Sequence, residues 1–152
     1  MPLLDATNIE ILKALRDGRK PYGDIARDLK VSENTVRSRV NRLLEEGVLS
    51  FSGLVDPERI DGAQLVYIGV KLESMNHREM AERLSQLTSV VSTAVVTGRY
   101  DIIVTALLTE GYGLLEFYSD EISRIDGIRS VETFVVYRGY NLQVPMIAGS
   151  VG

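Results

Sequence analysis

The chain of 152 residues contains no cysteine and a single histidine, His77. Without thiols there are no disulfides and no thiolate metal sites, and a reducing compartment is permitted. One imidazole leaves little for a histidine-ligated metal or a histidine base, so no metal ligand, cofactor or catalytic residue is assigned. Long apolar runs are also missing. No stretch approaches the roughly 18 consecutive apolar residues of a membrane span, and "MPLLDATNIE" carries acids where a secretory signal needs cations. The expected location is cytoplasmic, with no membrane partner. What remains is ordinary globular composition, 45% hydrophobic and 25% charged.

The net charge of -4 looks wrong for a nucleic-acid binder until the chain is divided. Residues 1–50 hold nine Lys/Arg against eight Asp/Glu, a balance of +1, whereas residues 51–152 hold eight against thirteen, a balance of -5. All nine of the first group lie from Lys13 to Arg42, opposed there only by Asp17, Asp24, Asp28 and Glu33, a local +5. A basic reader joined to an acidic body has this distribution.

The first third reads as three helices. Ile9, Leu12 and Leu15 follow Asp5 at helical spacing, with an end near Arg16 and Gly18 as its stop. "PYGDIARDLK" begins with a proline suited to a first turn and sets Ile25, Ala26 and Leu29 on one face. Ser32 caps a third helix whose apolar stripe is Val36, Val40, Leu43 and Leu44. Its opposite face carries Asn34, Thr35, Arg37, Ser38, Asn41 and Arg42, groups that read base edges and phosphates in a major groove. The competing reading is a merely solvated face. The helix-turn-helix spacing, the local charge and the lack of any acid from Asn34 to Leu44 favour DNA. Ser32, Asn34, Thr35, Arg37, Ser38, Asn41 and Arg42 are therefore the candidate DNA-binding residues. Arg39 lies near the buried seam, where an ion pair with an acid of helix one or two is expected instead.

"SFSGLVDPERIDG" reads as a hinge strand and linker over 50–62, after a helical domain over 1–49. Beyond it the periods alternate β-α-β-β-α-β over 63–142, a ferredoxin-like arrangement, with 143–152 as a tail. In the second helix Leu115, Tyr118, Ile122 and Ile125 share one face. "VSTAVV" from Val91 echoes "VETFVV" from Val131, as two halves of one sheet would. Leu65 and Tyr67 oppose Val66, Ile68, Val70 and Leu72, and the strand from Ile102 to Leu108 is apolar on both faces. Two helices cover one side of a sheet, so the other is expected to meet a second copy, making a homodimer. The alternative is a cover supplied by the linker and the N-terminal domain.

In this order the chain resembles the Lrp/AsnC, or feast/famine, transcription regulators. The resemblance is carried by "LLDATNIEILKALRDGR", "DIARDLKVSENTVRSRVNRLLEEGVLSFSGLVDPERI", "VVTGRYDIIV" and "IDGIRSVETFVVYR", across nearly all of residues 3–138. It implies an α+β chain: a winged-type helix-turn-helix domain of three helices, a hinge strand, and a ferredoxin-like RAM- or ACT-like βαββαβ domain. It implies a partner in double-stranded DNA and dimers assembling to tetramers or octamers; two copies of one reader in turn imply a pseudo-palindromic operator. It also implies an amino-acid or related effector. The family's second acid in the first motif is Asn8 here, at a helix-one hydrogen bond rather than the DNA surface.

In "VVTGRYDIIV", Gly98 permits positive φ and open amides for a carboxylate, and Asp101 offers acceptors to an ammonium group. The resemblance places this Gly-x-x-Asp loop at the effector site, transferring to Gly98 and Asp101 by motif and to Arg99 and Tyr100 by adjacency. Thr133, matched to Thr93 in the internal echo, completes the effector candidates. The simpler reading is a turn in which Asp101 caps its own loop. His77, opening a helix, reads as solvated or capping. The rival functions are an enzyme on the same scaffold, like certain haem-pathway decarboxylases, which no acid–base constellation supports, a metabolite-binding module whose helix-turn-helix contacts protein, and a regulator with no small-molecule effector.

Overall fold

The computed structural model describes residues 3–146, and the chain divides into two compact units, Met1–Ser52 and Gly53–Gly152.

The first unit holds α1 (Ala6–Ala14), α2 (Tyr22–Leu29) and α3 (Glu33–Glu45). Asp5 caps α1 by accepting the Asn8 N–H at 2.8 Å. The helix ends about two residues before Arg16, with Leu15 as C-cap, and Gly18 does not take positive φ. Ile9 is exposed; the buried positions are Asn8, Ile11 and Leu15. A buried asparagine is tolerated because its polar atoms are used: Nδ2 donates to the Leu3 carbonyl at 2.6 Å and Oδ1 accepts from Arg39 at 2.9 Å. Ile11, Leu15, Ile25, Ala26, Val36 and Val40 form the core of the unit. Lys30, at φ 55°, ends α2 in the left-handed region, and Gly47, at φ 67°, follows the end of α3. Among the described residues of this unit no strand forms; the nearest, β1 (Leu54–Val55), belongs to the second unit.

In that unit β1 pairs with β6 (Val144–Pro145). The hinge strand expected within 50–62 is thus β1, and the segment read as a tail from residue 143 begins as another strand, because Val144 is buried against Leu65 and Leu107. The main sheet contains β2 (Gln64–Leu72), β3 (Val90–Val95), β4 (Ile102–Leu108) and β5 (Ile128–Val135), all pairs antiparallel, in the order β3-β4-β2-β5. With α4 (His77–Ser85) and a helical segment over 114–124, this is the expected ferredoxin-like βαββαβ. The two echoing segments occupy the two edge strands.

One face of the sheet, with Val66, Ile68, Val70, Ile102, Val104, Ala106 and Leu108, packs on Met80 and Leu84 of α4 and on Phe117 and Ile122. The helical segment departs from expectation. It is an α turn, α5 (Leu114–Glu116), then a π turn over Phe117–Glu121, then a 3-10 turn over Ile122–Arg124. The π turn shifts the facing residues, so Phe117 is fully buried while Leu115 is 75% exposed. On the other face, Leu65 and Leu107 are covered by Val144 with Val55, Ile60 and Leu142. Toward the opposite end, Tyr67, Ile103 and Thr105 are half-buried and Phe134 is exposed.

Candidate nucleic-acid interface and sensing loop

The geometry of α3 follows from its stripe. Val36, Val40 and Leu43 are buried, which turns Asn34, Arg37, Ser38, Asn41 and Arg42 outward together, where they line one shallow surface with Glu45 and Glu46. Thr35 is half-buried: its N–H donates to Ser32 Oγ at 3.1 Å, and the two hydroxyls lie 2.8 Å apart. Ser32 and Thr35 thus serve first as the cap that fixes where α3 starts. Arg39 turns away from this surface. Its Nη1 donates to Asp5 Oδ2 at 2.6 Å as well as to Asn8, tying α3 to the start of α1, and it holds the Asp5 carboxyl below the usual range. The structural ion pair expected of Arg39 is present, and the Asn8 that replaces an acid is its second acceptor.

Arg37 is the most constrained cation of the surface. Its Nη2 donates to Glu33 Oε1 at 2.8 Å, and its guanidinium carbon lies 5.4 Å from the centre of the Tyr22 ring. Arg42, Ser38 and Asn41 have no side-chain partner among the described residues.

In the second unit, Gly98 adopts φ 127°, which a side chain would disfavour, between β3 and β4. The loop closes through Val96 N–H to the Asp101 carbonyl at 3.0 Å. Asp101 does not cap its own loop. Its Oδ2 accepts the Leu72 N–H at 2.8 Å and its Oδ1 accepts Lys71 Nζ at 3.1 Å, with His77 Nε2 3.7 Å away. The Leu72 N–H first, then Lys71, hold the carboxyl below the ordinary aspartate value. His77 is therefore neither the cap of α4 nor simply solvated, but part of this cluster.

Tyr100 lies over Gly69 and donates its hydroxyl to Glu132, which also pairs with Arg99 Nη2 at 3.2 Å. Thr133 is not brought into this group. It follows Glu132 on β5, and adjacent strand residues point to opposite faces, so its Oγ1 meets the Tyr118 hydroxyl at 2.5 Å on the helix side. Sequence reasoning missed Glu132, Lys71 and Gly69. The signal would have been the β2–β5 register, which sets Gly69 opposite Glu132.

The AsnC-type helix-turn-helix domain model matches residues 4–44, and the Lrp/AsnC ligand binding domain model matches residues 65–144. The chain belongs to the Lrp/AsnC family of transcriptional regulators. This Lrp/AsnC chain is 36% identical over 135 residues to an uncharacterized HTH-type transcriptional regulator of Pyrococcus abyssi, covering 88% of this chain and 85% of that protein. It is 30% identical over 137 residues to the HTH-type transcriptional regulator FL11 of Pyrococcus horikoshii, covering 89% of this chain and 90% of the relative. Among solved structures, E. coli AsnC is 26% identical with a TM-score of 0.70, over 91% of this chain and 95% of that one. A Neisseria meningitidis transcriptional regulator solved as an L-Met complex shares the fold at 23% identity and TM-score 0.69, over 89% and 90% of the two chains. The relatives and neighbours are regulators, not enzymes, and this Lrp/AsnC chain is a DNA-binding transcriptional regulator with a ligand-binding domain.

Proposed function

We propose that α3 enters the major groove of a pseudo-palindromic operator, that two or more copies of the chain bind it together, and that an amino acid or close relative tunes this binding. The observation that carries the reading is the α3 surface: Asn34, Arg37, Ser38, Asn41 and Arg42 project together while Arg39 is withdrawn into the helix packing. Asn34, Ser38 and Asn41 offer donors and acceptors to base edges, and Arg42 supplies a phosphate contact. Ser32 and Thr35 set the start of the helix and so its depth in the groove. The half-buried end of the sheet, at Tyr67, Ile103 and Phe134, is the surface assigned to the second copy, with tetramers or octamers built from such dimers.

The effector enters at the loop around Gly98, Arg99 and Tyr100, with Glu132 as the acceptor for an ammonium group. Asp101 holds the loop to β2 rather than touching the ligand, and Thr133 is withdrawn from the set. A fold neighbour solved with L-Met supports the choice of ligand class.

Fluorescence anisotropy on a labelled duplex tests the DNA reading. Affinity should fall steeply as salt rises, and Arg42→Ala should lower it for any sequence and reduce the salt slope by about one. A screen of amino acids by thermal shift tests the second half, since a ligand bound only by the folded chain stabilises it by RT ln(1 + [L]/Kd). A stabilising amino acid whose effect weakens in Arg99→Ala supports the loop; no stabilisation at millimolar concentration removes the effector from the proposal.

A further inference from the structure

Resting on the DNA-binding reading of α3, we infer that Glu33 and Tyr22 are positioning residues that hold Arg37 in readiness for a guanine edge and keep it off the phosphates. Two cations on this surface are presented in different ways. Arg42 has no side-chain partner among the described residues and is free to follow the backbone. Arg37 is held on two sides, by the Glu33 carboxylate at 2.8 Å and by the Tyr22 ring, 5.4 Å from its guanidinium carbon.

The residues come from two elements. Glu33 opens α3, and Tyr22 opens α2, whose N-cap Pro21 provides no side-chain cap. The other Glu33 oxygen, Oε2, lies 3.3 Å from where a Cβ on Gly23 would stand, so the carboxylate packs on the first turn of α2. Gly23 leaves the room that lets Glu33 reach both α2 and Arg37.

A guanidinium is planar and has five N–H donors in a fixed fork. Glu33 uses one of them, and the ring fixes the lie of the group. The remaining donors match the O6 and N7 acceptors of guanine, the commonest specific contact of an arginine in the major groove. A carboxylate beside the reading edge also repels phosphate, which disfavours the sequence-independent mode. An exposed ion pair contributes little to stability; its consequence here is the orientation of the guanidinium.

The test uses the full chain and two duplexes, one selected by the wild type from a randomised pool and one scrambled. Their affinities are compared at several salt concentrations. Glu33→Ala should bind the scrambled duplex more tightly, while the ratio of selected to scrambled affinity falls about fivefold or more. Tyr22→Leu leaves the charge unchanged, so the ratio should fall with scrambled affinity and salt slope intact, and Tyr22→Phe should retain the wild-type ratio. Thermal melts report folding; if Tyr22→Leu does not fold, the Glu33→Ala and Tyr22→Phe arms decide. The second readout replaces single guanines of the selected site by 7-deazaguanine, which lacks the N7 acceptor. One replacement should cost the wild type about tenfold and Arg37→Ala almost nothing further.

Equal changes for both duplexes in Glu33→Ala, or no guanine coupled to Arg37, overturn the inference. A different result, Arg37→Ala and Arg42→Ala both leaving every DNA affinity unchanged, would instead overturn the DNA-binding role of this face.

Discussion

The Tyr100 ring covers Gly69 so closely that a Cβ built there would stand 2.6 Å from it. Gly69→Ala should therefore overpack the site and destabilise the chain by about 1–3 kcal/mol. Adding Tyr100→Ala should recover part of that loss, a coupling that denaturation of the four variants measures directly. Asp101 makes a different prediction, because its folded carboxyl is held low by the Leu72 N–H and by Lys71. A depressed folded value stabilises the native state above the unfolded aspartate value of about 3.9 and loses that contribution as pH falls through the folded one. Asp101→Asn should be destabilised at neutral pH and approach the wild type as pH drops below about 3.9, checked by urea unfolding across that range. Asp101 could be picked out in the sequence as chemically active, but its partners could not. Lys71 and Leu72 lie 30 and 29 positions away and meet it through strand pairing.

At the scale of elements, the strands and α3 follow their apolar periods closely, because alternation in a half-buried strand and a stripe on a helix each report burial directly. The segment from Leu114 follows its period only in part. Its apolar residues fit a regular helix with Leu115, Tyr118, Ile122 and Ile125 facing inward, and an added residue in one turn leaves no mark in that spacing. With the π turn, Phe117 joins Ile122, Tyr118 and Ile125 against the core, and Leu115 is left exposed. Glu121, within that turn, accepts the Thr88 N–H at 3.0 Å and the Tyr112 hydroxyl. Burial, and then Glu121, push the Tyr112 phenol well above its ordinary value. These cross-links come from the loops, which periodicity does not address. Leu115→Asp should change stability by no more than about 0.5 kcal/mol, whereas Phe117→Ala should cost about 3–5 kcal/mol. A regular helix in solution would reverse the contrast: the leucine variant would then be severely destabilised in equilibrium unfolding.

For the whole molecule, the decisive question is whether a second copy covers the half-buried end of the sheet. The apolar pattern leaves one face of the sheet to a second copy or, alternatively, to the linker and the N-terminal domain. Part of that face is closed by Val55 and Ile60 of the linker, by Leu142 and by Val144 of the segment read as a tail, so the cover by the linker named as the alternative is present there. What stays accessible is a smaller area around Tyr67, Ile103 and Phe134. If this area joins two chains, a charge placed in it must separate them, since a buried unpaired carboxylate is costly. Ile103→Asp and Phe134→Glu should lower the mass seen by sedimentation equilibrium, with the melting of α1, α2 and α3 unaffected because those helices have a core of their own. Loss of assembly should then reach the DNA. Two linked readers gain about a hundredfold or more in affinity over one, by effective concentration alone. The separated variants should bind a full operator about as weakly as a half-site, while Arg42→Ala weakens both and leaves the mass unchanged. Wild-type mass retained in both charged variants would place the contact between copies on another surface.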